Sequence, residues 1–125
     1  MSSVLILTIG HSTRAIGDFL DILRVHGVMR VVDIRTIPRS RHNPQFNQES
    51  LSESLKESAI DYIPMKQLGG LRHPKADSPN MDWRNSSFRG FADYMQTQEF
   101  AEGIYQLVGL AQNCQVAIMC AEVLP

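Results

Sequence analysis

Four apolar segments punctuate the chain, and each is followed by a cluster of polar residues. Val4-Leu5-Ile6-Leu7 is a short continuous apolar run, the pattern of a strand covered on both faces. After Gly10-His11-Ser12-Thr13 the period changes: Ile16, Phe19, Leu20 and Leu23 share one face of a helix, with Asp18, Asp21 and Arg24 on the other. His26-Gly27 supplies its stop. Val28 to Ile34, rich in β-branched residues, predicts a second strand. A polar loop from Arg35 to Phe46 leads to Asn47, an expected N-cap for a helix with Leu51 and Leu55 inward. Asp61 to Met65 predicts a third strand, and residues 66 to 86 a long irregular stretch with Gly69, Gly70, Pro74 and Pro79. Phe88 to Met95 suggests a short helix, Thr97 caps a longer one through Ala111, and Gln115 to Cys120 forms the fourth strand.

This alternation predicts an α/β fold: a small, single-domain open sheet of about four mostly parallel strands, with helices on both faces in a Rossmann-like three-layer arrangement. The 125 residues are enough for one core, and no repeat or linker divides them, so one domain is expected over residues 1–125. No apolar run reaches the roughly 18 residues of a membrane span. Val4 to Ile9 is too short for a signal-peptide core, so no membrane partner and a cytoplasmic location are expected. Cys114 and Cys120 lie six positions apart. On one strand that separates them by roughly 20 Å, beyond disulfide reach. Two such cysteines do not make a zinc site, and no metal set is expected.

Net charge is −1, against a protein that coats nucleic acid generally. Its distribution says more. Residues 30 to 42 hold four arginines against Asp33 alone, and residues 66 to 75 hold Lys66, Arg72 and Lys75 with no acid. Both basic segments follow expected strands.

In open α/β sheets ligands sit beyond the carboxyl ends of the strands. That rule gathers four clusters as one candidate site. Gly10-His11-Ser12 offers a tight turn, backbone donors for an anion, and in His11 a proton carrier near neutral pH. Asp33 and Arg35 alternate with Ile34 and so share a face. A buried Arg35 needs an anion, and either Asp33 or Glu122 can be its partner. Arg39 and Arg41, with no acid nearby in sequence, present forks suited to phosphate or carboxylate. Gly69 and Gly70 permit positive φ and close approach of backbone or ligand, with Arg72 beside them. Cys120 and Glu122 end the fourth strand, Glu122 as a candidate acid or base and Cys120 as a thiol or an inert buried group. Trp83 and Phe88 are candidate stacking residues or simply core.

Several of these stretches resemble the domain-of-unknown-function family 488: Thr8-Ile9-Gly10-His11-Ser12, Val32-Asp33-Ile34-Arg35, Pro38-Arg39-Ser40-Arg41, Asn43-Pro44-Gln45-Phe46-Asn47 and Leu68-Gly69-Gly70. Trp83-Arg84-Asn85, Phe88-Arg89-Gly90, Ala92-Asp93-Tyr94-Met95 and Cys120-Ala121-Glu122 continue the resemblance in the same order. It implies a bacterial or archaeal protein and no established activity. Similar proteins continue past Cys-Ala-Glu into a Trp-x-Cys-His-Arg segment, so a C-terminally truncated form is expected here, and a non-catalytic remnant is one outcome. The others are a site for a phosphorylated small molecule such as a nucleotide, with or without catalysis by His11, Asp33 or Glu122, and a nucleic-acid-binding accessory domain. The sequence names no cofactor.

Overall fold

The computed structural model describes residues 5–69 and 95–121. Four strands, β1 (Ile6–Gly10), β2 (Arg30–Asp33), β3 (Asp61–Pro64) and β4 (Val116–Cys120), alternate with helices α1 (Ile16–Val25), α2 (Gln48–Glu57) and α3 (Gln98–Leu110). Short 3-10 turns at Pro44–Phe46 and Lys66–Leu68 precede α2 and follow β3. All pairings are parallel, in the order β1-β4-β2-β3. No helix among the described residues is long and apolar enough to cross a membrane.

The two central strands alternate between two cores, as the period of two requires. Val31, Ala117 and Met119 meet Phe19 and Leu23 of α1, Leu51 and Leu55 of α2, and Phe46 on one face. Val32 and Val116 meet Met65, Leu68 and Leu107 of α3 on the other. The chain therefore leaves β2 toward the α1/α2 face and β3 toward the α3 face. Neighbouring strands whose exits diverge in this way leave a crevice at their carboxyl ends, where α/β sheets place their ligands.

The C-terminal ends of α1 and α2 share one motif, with a departure in α2. After α1, Gly27 has φ +65° and donates to the Arg24 carbonyl, while Val28 donates to Leu23. This is a Schellman ending, which wants a residue able to adopt left-handed backbone. α2 ends the same way, Ala59 donating to Lys56 and Ile60 to Leu55, but the left-handed position holds Ala59 at φ +60°. Thr97 caps α3 through its hydroxyl, which accepts from the Phe100 N–H at 3.2 Å.

Some expectations are corrected. The first strand begins at Ile6 and lies at the edge of the sheet formed by the described residues, so it is half-buried and Leu5 is exposed. Asn47 occupies the N-cap position without capping, because its Oδ1 accepts from the Ser40 N–H at 2.7 Å and ties down the preceding loop. Cys114 precedes β4 instead of lying on it, and neither cysteine is in a disulfide. The short helix expected from residue 88 falls outside the described residues apart from Met95.

Candidate functional site

Asp33 is the last residue of β2, its N–H and C=O fixed by the register with β3 and β4. It shares Val31's side of the sheet and is almost fully buried. A buried carboxylate must be paired. Its Oδ1 accepts from the Arg35 N–H at 3.1 Å and from Arg35 Nε at 2.9 Å. Its Oδ2 accepts from Arg35 Nη2 at 2.8 Å and from the Tyr62 hydroxyl at 2.6 Å. The guanidinium thus meets the carboxylate fork to fork, the strongest geometry for such a pair. Of the two partners the sequence left open for Arg35, Asp33 is the one engaged among the described residues. Burial, and then the bond to Asp33, push the Tyr62 hydroxyl well above the usual phenol range.

His11 follows β1 and lies over the same face. Its ring stacks on Phe46 with centroids 4.4 Å apart, and Phe46 in turn meets Phe19 edge-on. Nδ1 is 2.8 Å from the Ser12 carbonyl oxygen, which can only accept, so the neutral ring carries its proton there. The lone pair of Nε2 then faces Arg35 Nη1 at 3.4 Å. The imidazole is pushed below its ordinary value chiefly by burial; the Ser12 bond opposes this, Arg35 adds to it, and Asp33 opposes it. Ser12, which supplies the orienting carbonyl, has φ +48°. A non-glycine residue held in left-handed backbone costs about 1–3 kcal/mol and recurs at functional sites.

The structure therefore brings His11, Asp33 and Arg35 together and adds Tyr62 and Phe46, for which pattern alone assigns no role. It treats the remaining candidates differently. The backbone donors expected at Gly10-His11-Ser12 are largely taken: the His11 N–H bonds to the Cys120 carbonyl at 3.0 Å and the Ser12 N–H to Ala121 at 2.9 Å. Gly10 closes β1 opposite Cys120. Cys120 is half-buried, and strand alternation puts it on the side of Ile118, away from Asp33. Arg39 does have an acid within reach, Glu49 at 4.0 Å, though both are exposed. Arg41 is exposed and forms no ion pair with a described residue. Gly69 has φ −71°, so positive φ is not its reason; a Cβ there would stand 2.5 Å from the Ile34 carbonyl oxygen and press on Thr36 Oγ1. Glu122, Gly70, Arg72, Trp83 and Phe88 lie outside the described residues.

Arg14 is a further cation at this end of the sheet that the sequence does not single out. Half-buried, it donates from Nε to the Gly10 carbonyl at 3.2 Å, and its own carbonyl accepts from Gln45 Nε2 at 2.8 Å. The pairing of the Arg14 turn with the Gln45 loop spans 31 residues, which no local pattern announces. Among the described residues no three His, Cys, Asp or Glu side chains gather as a metal-binding set.

No curated protein and no solved structure matches the chain. Residues 15–125 match the model of a family described as a domain of unknown function, DUF488. His11 and Ser12 precede that stretch, whereas Asp33, Arg35, Phe46 and Tyr62 fall within it. With most of its length covered, this chain belongs to the DUF488 family.

Proposed function

We propose that the carboxyl ends of the strands form a binding site for a small anionic molecule, with phosphorylated compounds the first class to test, and that His11 handles a proton there. One observation carries this: the buried His11–Arg35–Asp33–Tyr62 network at the diverging ends of β2 and β3. A guanidinium has five N–H donors. Three of Arg35's meet Asp33 and His11, and the Tyr62 hydroxyl is a further neighbour of the guanidinium. His11 is held by Phe46 and Ser12 with a single accepting nitrogen, the arrangement that acid–base chemistry uses. The loop of residues 36 to 45 begins at Arg35 and ends at Phe46, both of which touch His11, so Arg39 and Arg41 ride on a segment anchored at the network. Their exposure favours a second reading, in which nucleic-acid phosphates are the anion.

Thermal melts with inorganic phosphate, nucleotides, sugar phosphates and short single-stranded DNA test both. A ligand at 100 times its Kd adds about 2.7 kcal/mol, which raises the midpoint by several degrees. A shift with one small anion that survives added salt supports the site. A steep fall in affinity with salt, confined to DNA, selects the second reading. No shift with any of them refutes both.

A further inference from the structure

Resting on the anion-site reading, we propose that the site takes up its anion together with a proton, and that Nε2 of His11 is the atom that receives it. The charges around His11 set this up. Arg35 and Asp33 neutralise one another at 2.8 Å, and both are almost fully buried. A neutral His11 faces that pair through a lone pair 3.4 Å from Arg35 Nη1. Bringing an anion onto Arg35 would leave a net negative charge in a poorly solvated place. A proton from solvent on Nε2 offsets one unit of that charge and turns an acceptor into a further donor beside the anion. No other nitrogen of the ring is available, since Nδ1–H is engaged by the Ser12 carbonyl. Protonation ends the contact with Arg35 Nη1 and releases that N–H toward the anion, while Phe46 holds the ring's face and Ser12 its edge.

Charged and polar groups face His11 from the surrounding elements. β2 and its end supply Asp33 and Arg35, and β3 supplies Tyr62 through Asp33. β4 presents the Cys120 carbonyl, already accepting from the His11 N–H. The adjoining turn carries Arg14, anchored on the Gly10 carbonyl. The Pro44–Phe46 turn adds only the uncharged Phe46 ring. None of these is placed to accept the proton in His11's stead: Asp33 has four donors on it, and Tyr62 already holds its proton toward Asp33.

Sulfate is the probe, because its own charge is constant across neutral and mildly acid pH. Calorimetric titration of the whole chain with sulfate, in buffers of different ionisation enthalpy, should show about one proton taken up per anion, and Kd should weaken by up to about tenfold per pH unit above the free imidazole's titration. In His11→Asn the uptake should vanish and Kd should stop responding to pH. In the unsubstituted protein, NMR titration of the His11 ring should show its pKa rising when sulfate is added, a readout independent of how well the variant folds. Binding without proton uptake, or an unmoved His11 titration with sulfate bound, overturns the inference and leaves the anion site standing. Absence of sulfate binding at every pH overturns the anion site and the inference with it.

Discussion

Replacing Arg35 by methionine removes one partner of a buried ion pair, and the size of the loss can be worked from the geometry. The Arg35 side chain is 5% exposed and that of Asp33 is 1%, so neither ion is appreciably solvated. With the guanidinium gone, Asp33 keeps, among the described residues, only the Tyr62 hydroxyl and the residue-35 N–H. Stranding one member of such a pair costs about 3–5 kcal/mol. Against a typical total of about 5–15 kcal/mol, this is a large fraction of the fold's stability. For a domain of this size it should lower Tm by roughly 10–20 °C in a calorimetric or circular-dichroism melt. Arg41→Ala, on an exposed loop position, should leave Tm nearly unchanged. The decisive comparison is the double variant Asp33→Asn with Arg35→Met. If the damage comes from an unpaired charge, neutralising Asp33 should recover much of it, giving a coupling of about 1–3 kcal/mol. Equal Tm values for the Arg35 and Arg41 variants, or strictly additive losses in the double variant, would refute the buried-pair geometry.

Three further outcomes follow from the same structure. Because burial holds His11 below its unfolded value, the folded state binds fewer protons than the unfolded chain as pH falls through the ordinary imidazole range. Stability from this group is thus full above that range and declines below it; Tm should drop from pH 7.5 to 5.5, and His11→Asn should flatten part of that slope. Ala59→Gly should raise stability by about 0.5–1 kcal/mol, since the left-handed end of α2 suits glycine, whereas Gly27→Ala should lower it by about 1 kcal/mol; paired urea melts measure both. Gly69→Ala drives a methyl group against the Ile34 carbonyl and Thr36, and should cost about 1–3 kcal/mol in the same assay.

Much of this molecule was legible from periodicity. The helical stripe of Ile16, Phe19, Leu20 and Leu23, the β-branched run into Asp33, and the glycine after His26 each follow from local rules, and each occurs where those rules put it. What escaped is whatever depends on a competitor distant in sequence. Asn47 looks like a cap, yet the Ser40 N–H claims its oxygen. Ala59 gives no stop signal, because the ending is fixed by where Ile60 must enter the core, not by glycine. β1 looks fully buried, but its position at the sheet edge is a property of strand order, which hydrophobicity does not encode.

The candidate site divides along the same line. His11, Asp33 and Arg35 stand out because polar residues interrupt apolar strands at their carboxyl ends, and the alternation through Ile34 already puts Asp33 and Arg35 on one face. Tyr62 and Phe46 do not stand out, since an aromatic residue within a strand or turn is ordinary core by pattern. Their roles arise only from topology: β3 lies beside β2, so Tyr62 reaches Asp33 across 29 residues of sequence, and the Pro44–Phe46 turn folds back beneath His11. That topology also reassigns the arginines. Arg35 reads in sequence as a cation that needs an anion, with Asp33, Glu122 or a ligand all open; its charge is balanced by Asp33. Any anion that binds there joins a pre-neutralised pair and must bring its own compensation. A neutral imidazole with one lone pair on that pair is the group positioned to supply it.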